Sequence, residues 1–548
     1  MSLTAVARRG FVGVLALSTL AGGGLAHAAD DPAGQWILVS PPEFRSALAP
    51  LVEHRRGEGF KVVVLETTEV LSQEQLHQGD GRPLQARLNE MVQHRNGRSC
   101  LLLLAGVCGR AGMTNAEKVV VPSLRGATGR MQGEASDSGY GLSGKDGTPT
   151  VAVGRFPART VDELRDMVQK TLGFEADSPS APWRNRLLLL LGDPGGGPLA
   201  EMYVQQSLEI HLASLHPCWE ARTIFNVASS PCYLPRPLDR QKALGYLQDG
   251  AMFSVYLGHS CAAGLGLDGR FMLRGDWASL SIPHGRGPFF SVGCFACQSN
   301  GDGDGYGLAA MRNPAGPAAV IGATGESYSA PGQLAVEGLL SCLTESPFSC
   351  RLADYWLAIQ GGLARGSMDP ATFALLDMAD GTGGRVPLAT QRLEHLEMWM
   401  LLGDPALRLP MVPVDIALKV VEPVTSGKTL TVRGILPSRV KGVTVHLTLE
   451  RPLNSAPRDL EKLPPDTPPN REARQRAFIA NHQRANSFVL ASAEAKASGT
   501  DFVGSLEAPG NVPWKRLICR AWATLSNETA LGVITVPVSA AAAASRTH

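Results

Sequence analysis

The chain has 548 residues, 44% hydrophobic and 18% charged, and its 51 Lys and Arg against 50 Asp and Glu leave a formal charge of +1. That length supports two to four domains with sizeable cores. The balanced charge, with no dense Lys/Arg run and no acidic tail, excludes an electrostatic footprint for nucleic acid.

At the N-terminus, Arg8 and Arg9 precede the apolar stretch FVGVLALSTLAGGGLA, which ends in Ala26-His27-Ala28. A charged start, a short apolar run and a small-x-small site form the pattern of a cleaved export signal over residues 1–28. The paired arginines fit a twin-arginine route as well as an ordinary one. The run is too short and Gly-rich for a transmembrane segment, and no later stretch is long enough. The mature protein is therefore expected in the periplasm, at the cell surface or outside the cell. Export permits disulfides. Of the ten cysteines, the pairs Cys218 with Cys232 and Cys342 with Cys350 have spacings that suit short loops, although spacing alone does not give connectivity. Cys294-Phe-Ala-Cys297 is a lone CxxC without partner ligands, which argues against zinc.

QWILVS, from Gln35, reads as a strand, and PPEFRSALAPLVEHRRGEG as a helix with a Pro-rich start and a Gly-bearing end. FKVVVLET is a second strand, followed by a helical stretch over 71–95 and the apolar strand CLLLLAG from Cys100. Strands alternating with helices predict a parallel α/β sheet. Residues 109–148, polar and rich in Gly and Ser, read as a surface loop. TVAVGRFPA resumes strand character, and 160–176 reads as an amphipathic helix with Thr160 as N-cap and Glu163 at the capping-box position. A second α/β unit opens at RLLLLLGD, from Arg186, with helices near 199–214 and 237–249 and a strand near 221–226. Next come two short apolar runs, AMFSVYLGHS and PFFSVGC, which end in His259 and Cys294. PAAVIGAT is another strand, helices fill 331–344 and 350–364, and MWMLLGDPALRLP closes the unit. Beyond Pro413, six segments from DIALKVVEP to LGVITVPV alternate apolar and polar residues, the signature of half-buried strands in an immunoglobulin-type sandwich. Residues 451–486, rich in Pro, Arg and Asn, read as a long mobile loop. The final Ala/Ser tail reads as disordered.

His259 and Cys294 carry the chemistry. An imidazole can take a thiol proton, and the thiolate can attack a carbonyl. On neighbouring parallel strands the two side chains emerge at one sheet edge, where open α/β sheets place their ligands. Taken singly, a lone His or a buried Cys is more often inert core.

The surrounding blocks resemble the gingipain-type cysteine peptidases of the caspase-like clan. The resemblance spans about 35–411 and rests on ordered segments: WILVSPPEFRSALAPLVEHRRGEGFKVVVLETTEV, VAVGRFPARTVDELRDMVQKTLGFE, SVYLGHS, PFFSVGC, PAAVIGATGESY and MWMLLGDPALRLP. It implies an α/β fold: a caspase-like parallel-sheet peptidase unit in two subdomains, 29–180 and 181–411. An all-β immunoglobulin-like sandwich (412–538) and a tail (539–548) complete the expected layout. It further implies an endopeptidase acting on polypeptides through an acyl-enzyme, with Cys294 as nucleophile, His259 as base and acid, and no required cofactor. The N–H groups of Ser260 and Cys294 are the expected oxyanion hole. Ser260 stands where the family has glycine, a departure that would be costly at positive φ. Cys294 matches the nucleophile position, while Cys297 falls where the family has a small residue. His284-Gly285 carries the family's dipeptide without a strand before it.

Asp137 and Asp146, in SDSGYGLSGKDG, resemble the family's Ser-Asp-x-x-Tyr segment and are candidates to orient the histidine or line the substrate pocket, although loop solvation or an Asx turn explains them more readily. Trp277 is expected to shape the loop between the catalytic strands and to line the substrate pocket. Asp302 and Asp304 are spaced like the opening of a calcium loop, but Met311 stands where the bidentate Glu belongs. Two rival functions remain. One is a catalytically weak relative that binds peptides or surface polymers, motivated by Ser260, Cys261 and a potential Cys294–Cys297 disulfide. The other is a transpeptidase, in which an amine resolves the acyl-enzyme. Little sequence separates the signal from the first strand, so no large N-terminal propeptide is expected.

Overall fold

The computed structural model describes residues 34–93, 99–109, 120–141, 147–177, 182–195, 197–299, 304–345, 351–438, 442–525 and 528–539. The expected signal, Asp146, Asp302, Cys350 and the tail beyond Ser539 lie outside the described residues.

The strands of the first 411 residues are β1 (Gln35–Ser40), β2 (Lys61–Glu66), β3 (Cys100–Ala105), β4 (Leu124–Arg125), β5 (Ala135–Ser136), β6 (Ala152–Phe156), β7 (Arg186–Leu191) and β8 (Glu220–Phe225). They continue with β9 (Phe253–Leu257), the short β10 (Ser260–Cys261), β11 (Gly264–Leu265) and β12 (Met272–Leu273), then β13 (Phe289–Val292), β14 (Val320–Ala323) and β15 (Trp399–Leu402). Ten of these build one sheet in the order β2-β1-β3-β6-β15-β14-β13-β9-β7-β8. Runs such as CLLLLA in β3 are buried along their whole length, as strands covered by helices on both faces must be. Trp36, Trp183, Trp219, Trp277, Trp356 and Trp399 are among the largest fully buried side chains.

The sheet is parallel within each half, but the halves run opposite ways. β15 pairs in parallel with β6 and antiparallel with β14. The last strand of the unit is therefore the seam between its halves. Several motif residues serve that seam. A side chain on Gly154 would collide with the Gly403 carbonyl, so the two glycines let β6 and the turn after β15 approach closely. Arg55, fully buried, pairs with Glu175 at 2.8 Å and Asp404 at 2.9 Å, and Asp404 also accepts from Trp36 Nε1 at 3.0 Å. Thr160 caps the helix Val161–Glu175 by accepting from the Glu163 N–H at 3.1 Å. The Glu163 carboxylate turns instead to the Arg159 N–H and guanidinium.

The C-terminal strands are β16 (Ala417–Val420), β17 (Thr429–Ile435), β18 (Thr444–Glu450), β19 (Val489–Lys496), β20 (Asp501–Glu507), β21 (Arg516–Leu525) and β22 (Glu528–Pro537). They form two antiparallel sheets, β16-β17-β20 and β19-β18-β21-β22, around a separate core that includes Val432, Leu447, Phe502 and Leu517. This is a β-sandwich.

The insertion at 451–486 departs from expectation. It ends in a helix, Arg471–Ala485, that buries Ala477, Phe478, Asn481, His482 and Ala485. His482 meets Tyr246 Oη at 3.0 Å and the Cys232 carbonyl at 2.9 Å. Just beyond the helix, Asn486 accepts from the Thr223 N–H at 2.6 Å and donates to the Thr223 carbonyl at 3.0 Å. A single amide side chain thus caps the open edge of β8 as a neighbouring strand would. The segment is a clasp between the sandwich and the sheet rather than a mobile loop. Its five buried residues recur at helical spacing, a stripe hidden by a composition dominated by charge.

Candidate active site

β9 and β13 are adjacent and parallel, with Leu257 level with Val292. His259 and Cys294 each lie two residues beyond that pair, at the carboxyl ends of the strands. Side-chain and backbone contacts tie the two ends together. Ser260 Oγ donates to the Cys294 carbonyl at 2.8 Å, and a side chain on Gly293 would strike Ser260 Oγ and the Gly258 carbonyl. His284 precedes β13, so it sits at the opposite edge of the sheet, where it is exposed and pairs with Asp177.

His259 is exposed, and its Nε2 lies 3.1 Å from the Pro194 carbonyl. A carbonyl only accepts, so Nε2 carries the proton and Nδ1 is the basic nitrogen of the neutral ring. The loop behind it is glycine-rich, and a side chain on Gly195 would touch the imidazole. The peptide of His259 is also held, because Tyr256 Oη donates to its carbonyl while accepting from the Gly266 N–H at 3.0 Å.

Cys294 is half-buried. Its sulfur takes the Ser327 N–H and contacts Ser327 Oγ, each at 3.4 Å. The hydrogen bonds of the thiol therefore go to Ser327 rather than to His259, an arrangement common before substrate tightens a catalytic pair. Phe295, the next residue, has φ +60° and is the only described non-glycine with positive φ, a sharp elbow that costs about 1–2 kcal/mol. Ser260 is free of that strain, so serine fits where glycine was expected. Cys297 faces the core, 1% exposed. Burial pushes its thiol well above the ordinary range, which keeps it protonated and inert. Cys294 and Cys297 are both free thiols, as are Cys218 and Cys232, so neither pair is bridged.

Three candidates belong elsewhere. Asp137 is buried and gives both carboxylate oxygens to Arg155, each at 2.7 Å, and takes Ser123 Oγ at 2.7 Å. Burial works against the charge of Arg155, yet Asp137 holds its guanidinium above the usual range. Asp137 is a core counter-ion, not a pocket residue. Trp277 is 0% exposed and packs against Phe289 and Tyr306, with ring centroids 4.4 and 6.4 Å away; it supports β13 from behind. Asp304 is bound through its carboxylate by Arg312, while its carbonyl accepts from Arg274 at 2.9 Å. A guanidinium on that carboxylate removes it from a calcium site. The cluster of His54, Glu58 and Glu175 is likewise filled by Arg55.

Residues that sequence reasoning missed are Pro194 and Ser327, which touch the reactive groups, and Tyr256, Ser291 and Tyr306 beneath them. Tyr256, Ser291 and Ser327 stood in the quoted family blocks and were open to notice. Pro194 acts through a carbonyl, for which the sequence carries no signal.

An imidazole and a thiol on adjacent strand ends of a caspase-like sheet define the class of cysteine peptidases. The chain belongs to peptidase family C25, whose model matches residues 29–410. Among solved structures it is similar to the Arg-specific cysteine proteinase gingipain R (RGPB). The TM-score is 0.53 and the identity 15%, over 93% of this chain and 99% of that one. A second structure, described only as a protease, matches with TM-score 0.50 and 13% identity over 92% and 98% of the two chains. No curated protein matches significantly.

Proposed function

We propose that this chain is an exported cysteine endopeptidase whose nucleophile is Cys294 and whose base is His259. The observation that carries the reading is the parallel register of β9 and β13, which places the two residues level at one sheet edge. His259 Nδ1 takes the thiol proton as sulfur attacks the substrate carbonyl. The N–H groups of Ser260 and Cys294 receive the oxyanion. The tetrahedral intermediate then collapses, and the leaving amine departs with the proton from His259. The resulting thioester is hydrolysed by water, whose proton passes to His259, and the thiolate leaves. The Pro194 carbonyl keeps the imidazole in the tautomer this sequence needs. Residues 1–28 supply the export signal, and the sandwich is an immunoglobulin-like support module. Among the described residues no helix is long and apolar enough to cross a membrane.

Cys294→Ala is expected to abolish both peptide hydrolysis and labelling by thiol-directed probes, and full activity in that variant would overturn the assignment. His259→Ala should lower kcat by about 10²–10⁴-fold. Cleavage profiling on a peptide library reads the preferred residue directly. The similar gingipain R is Arg-specific, which makes basic residues the first to test.

A further inference from the structure

Beneath the strand ends lies a row of hydroxyls that the mechanism above does not use. Ser291 and Tyr306 are both 0% exposed. Ser291 Oγ lies 2.6 Å from Tyr306 Oη, Tyr306 Oη is 3.3 Å from Ser260 Oγ, and Ser260 Oγ is 2.8 Å from the Cys294 carbonyl. The direction of this row follows from the final acceptor. A carbonyl has no proton, so Ser260 must donate to it. With its only proton committed, Ser260 can meet Tyr306 only as an acceptor. Tyr306 then has no proton left for Ser291, which must donate to it. Three hydroxyl protons thus point one way, towards the peptide that follows the nucleophile, and aligned bonds of this kind strengthen one another.

That peptide is also held from its other side, because the Phe295 N–H donates to the Gly325 carbonyl at 3.0 Å. Both polar atoms of the Cys294–Phe295 peptide are therefore engaged, at the one described non-glycine with positive φ. A strained elbow persists only where its surroundings over-determine it. Gly293, with no side chain, leaves the space that the Ser260 hydroxyl occupies.

We propose that the Ser260 side chain, fed by Tyr306 and Ser291, is a positioning residue that clamps the nucleophile elbow so that the Cys294 N–H stays aimed at the developing oxyanion. Serine beside the histidine is thus a working part of this site rather than a defect in it. The activity readouts rest on the peptidase reading above; the exchange readout does not.

The test compares Ser260→Gly, Ser260→Thr and Tyr306→Phe with the wild type. Ser260→Gly should lower kcat for peptide hydrolysis by about 10- to 100-fold, with KM within about twofold. Alkylation of Cys294 by iodoacetamide, which forms no oxyanion, should keep its wild-type rate. Ser260→Thr, which restores the hydroxyl, should recover most of kcat, and Tyr306→Phe should lose about 3- to 10-fold. Hydrogen exchange at the Phe295 amide should be about tenfold faster in Ser260→Gly, whether or not the protein cleaves peptides. Unchanged kcat and unchanged exchange in Ser260→Gly would overturn the proposal, and so would a threonine variant as impaired as the glycine one. An inert wild type that still shows the exchange difference would support the clamp while overturning the peptidase reading.

Discussion

In the N-terminal half of the large sheet, the buried polar contacts include ion pairs: Arg155 with Asp137, and Arg55 with Glu175 and Asp404. Beneath the ends of β9 and β13 they are neutral. The groups that hold the peptides of His259 and Cys294 are the hydroxyls of Tyr256 and Ser260 and the Gly325 carbonyl. The difference separates two tasks. Ion pairs weld helices and strands across the seam, where each charge is matched by a partner that is also out of water. In the proposed mechanism, charge appears and vanishes on sulfur, imidazole and oxyanion at the strand ends. Neutral donors and acceptors can orient these groups without a fixed charge that would favour one stage over another. Charged residues of the family blocks such as Arg55 and Arg155 are thus architectural, and the proposed catalytic pair stands on uncharged supports.

The most severe way to break the comparison is Asp137→Ala, which leaves the Arg155 guanidinium buried and unpaired. Unfolding by denaturant should show a loss of about 3–5 kcal/mol, while the folded fraction keeps its kcat. A fall in kcat at unchanged stability would return Asp137 to the substrate site.

Next is the pH response of His395, which is fully buried, accepts from the Tyr328 N–H at 2.9 Å and meets the Gln391 carbonyl at 2.8 Å. Burial, ahead of any other influence, pulls its pKa from the ordinary 6.5 down to about 4. The neutral ring is the folded form, so its contribution is complete above about 6.5. As pH falls from there towards about 4 the unfolded chain takes up a proton that the folded one refuses, and stability drops by roughly 3 kcal/mol before levelling off. Stability against pH in His395→Asn should lack that component, and an identical curve would show that another group is responsible.

Asn486→Ala should cost about 1–3 kcal/mol, because it strands both backbone groups of Thr223. Limited proteolysis near 451–486 should also accelerate, and unchanged proteolysis would mean that the clasp is held elsewhere. The smallest effect is expected on the helix Pro198–Ser214, which buries no residue. Ile210→Gln there should stay within about 0.5 kcal/mol in thermal unfolding; a larger loss would reveal a packed face.

Much of this was legible in the chain. The strand runs from Gln35, Cys100, Arg186, Phe253 and Phe289 announce themselves by local hydrophobic pattern, which burial on both sheet faces requires. The choice of Cys294 over Cys297 followed from position relative to a strand end, and burial of Cys297 gives it a physical cause. Where reading failed, a neighbour distant in sequence decided the outcome. Asp137 was open to a pocket or a turn reading because the arginine that claims it is 18 residues away. Asp304 resembled a calcium ligand until Arg312 folded onto it. The clasp helix was lost in its own charge, since its buried face is defined by partners distant in sequence, among them Tyr233, Cys232 and Tyr246.

By itself the sequence determined the α/β order, the two strand-end residues and the family blocks, because periodicity and motif spacing are local properties of a chain. Only the tertiary structure decided that β15 joins two opposed half-sheets and that carbonyls and hydroxyls from Pro194 to Tyr306 surround His259 and Cys294. Those depend on which distant groups share one small space, and a hydrogen bond leaves no periodic trace in the residues that make it. The serine beside the histidine shows the division most clearly: a departure from its family in one dimension, and a hydrogen-bonded clamp in three.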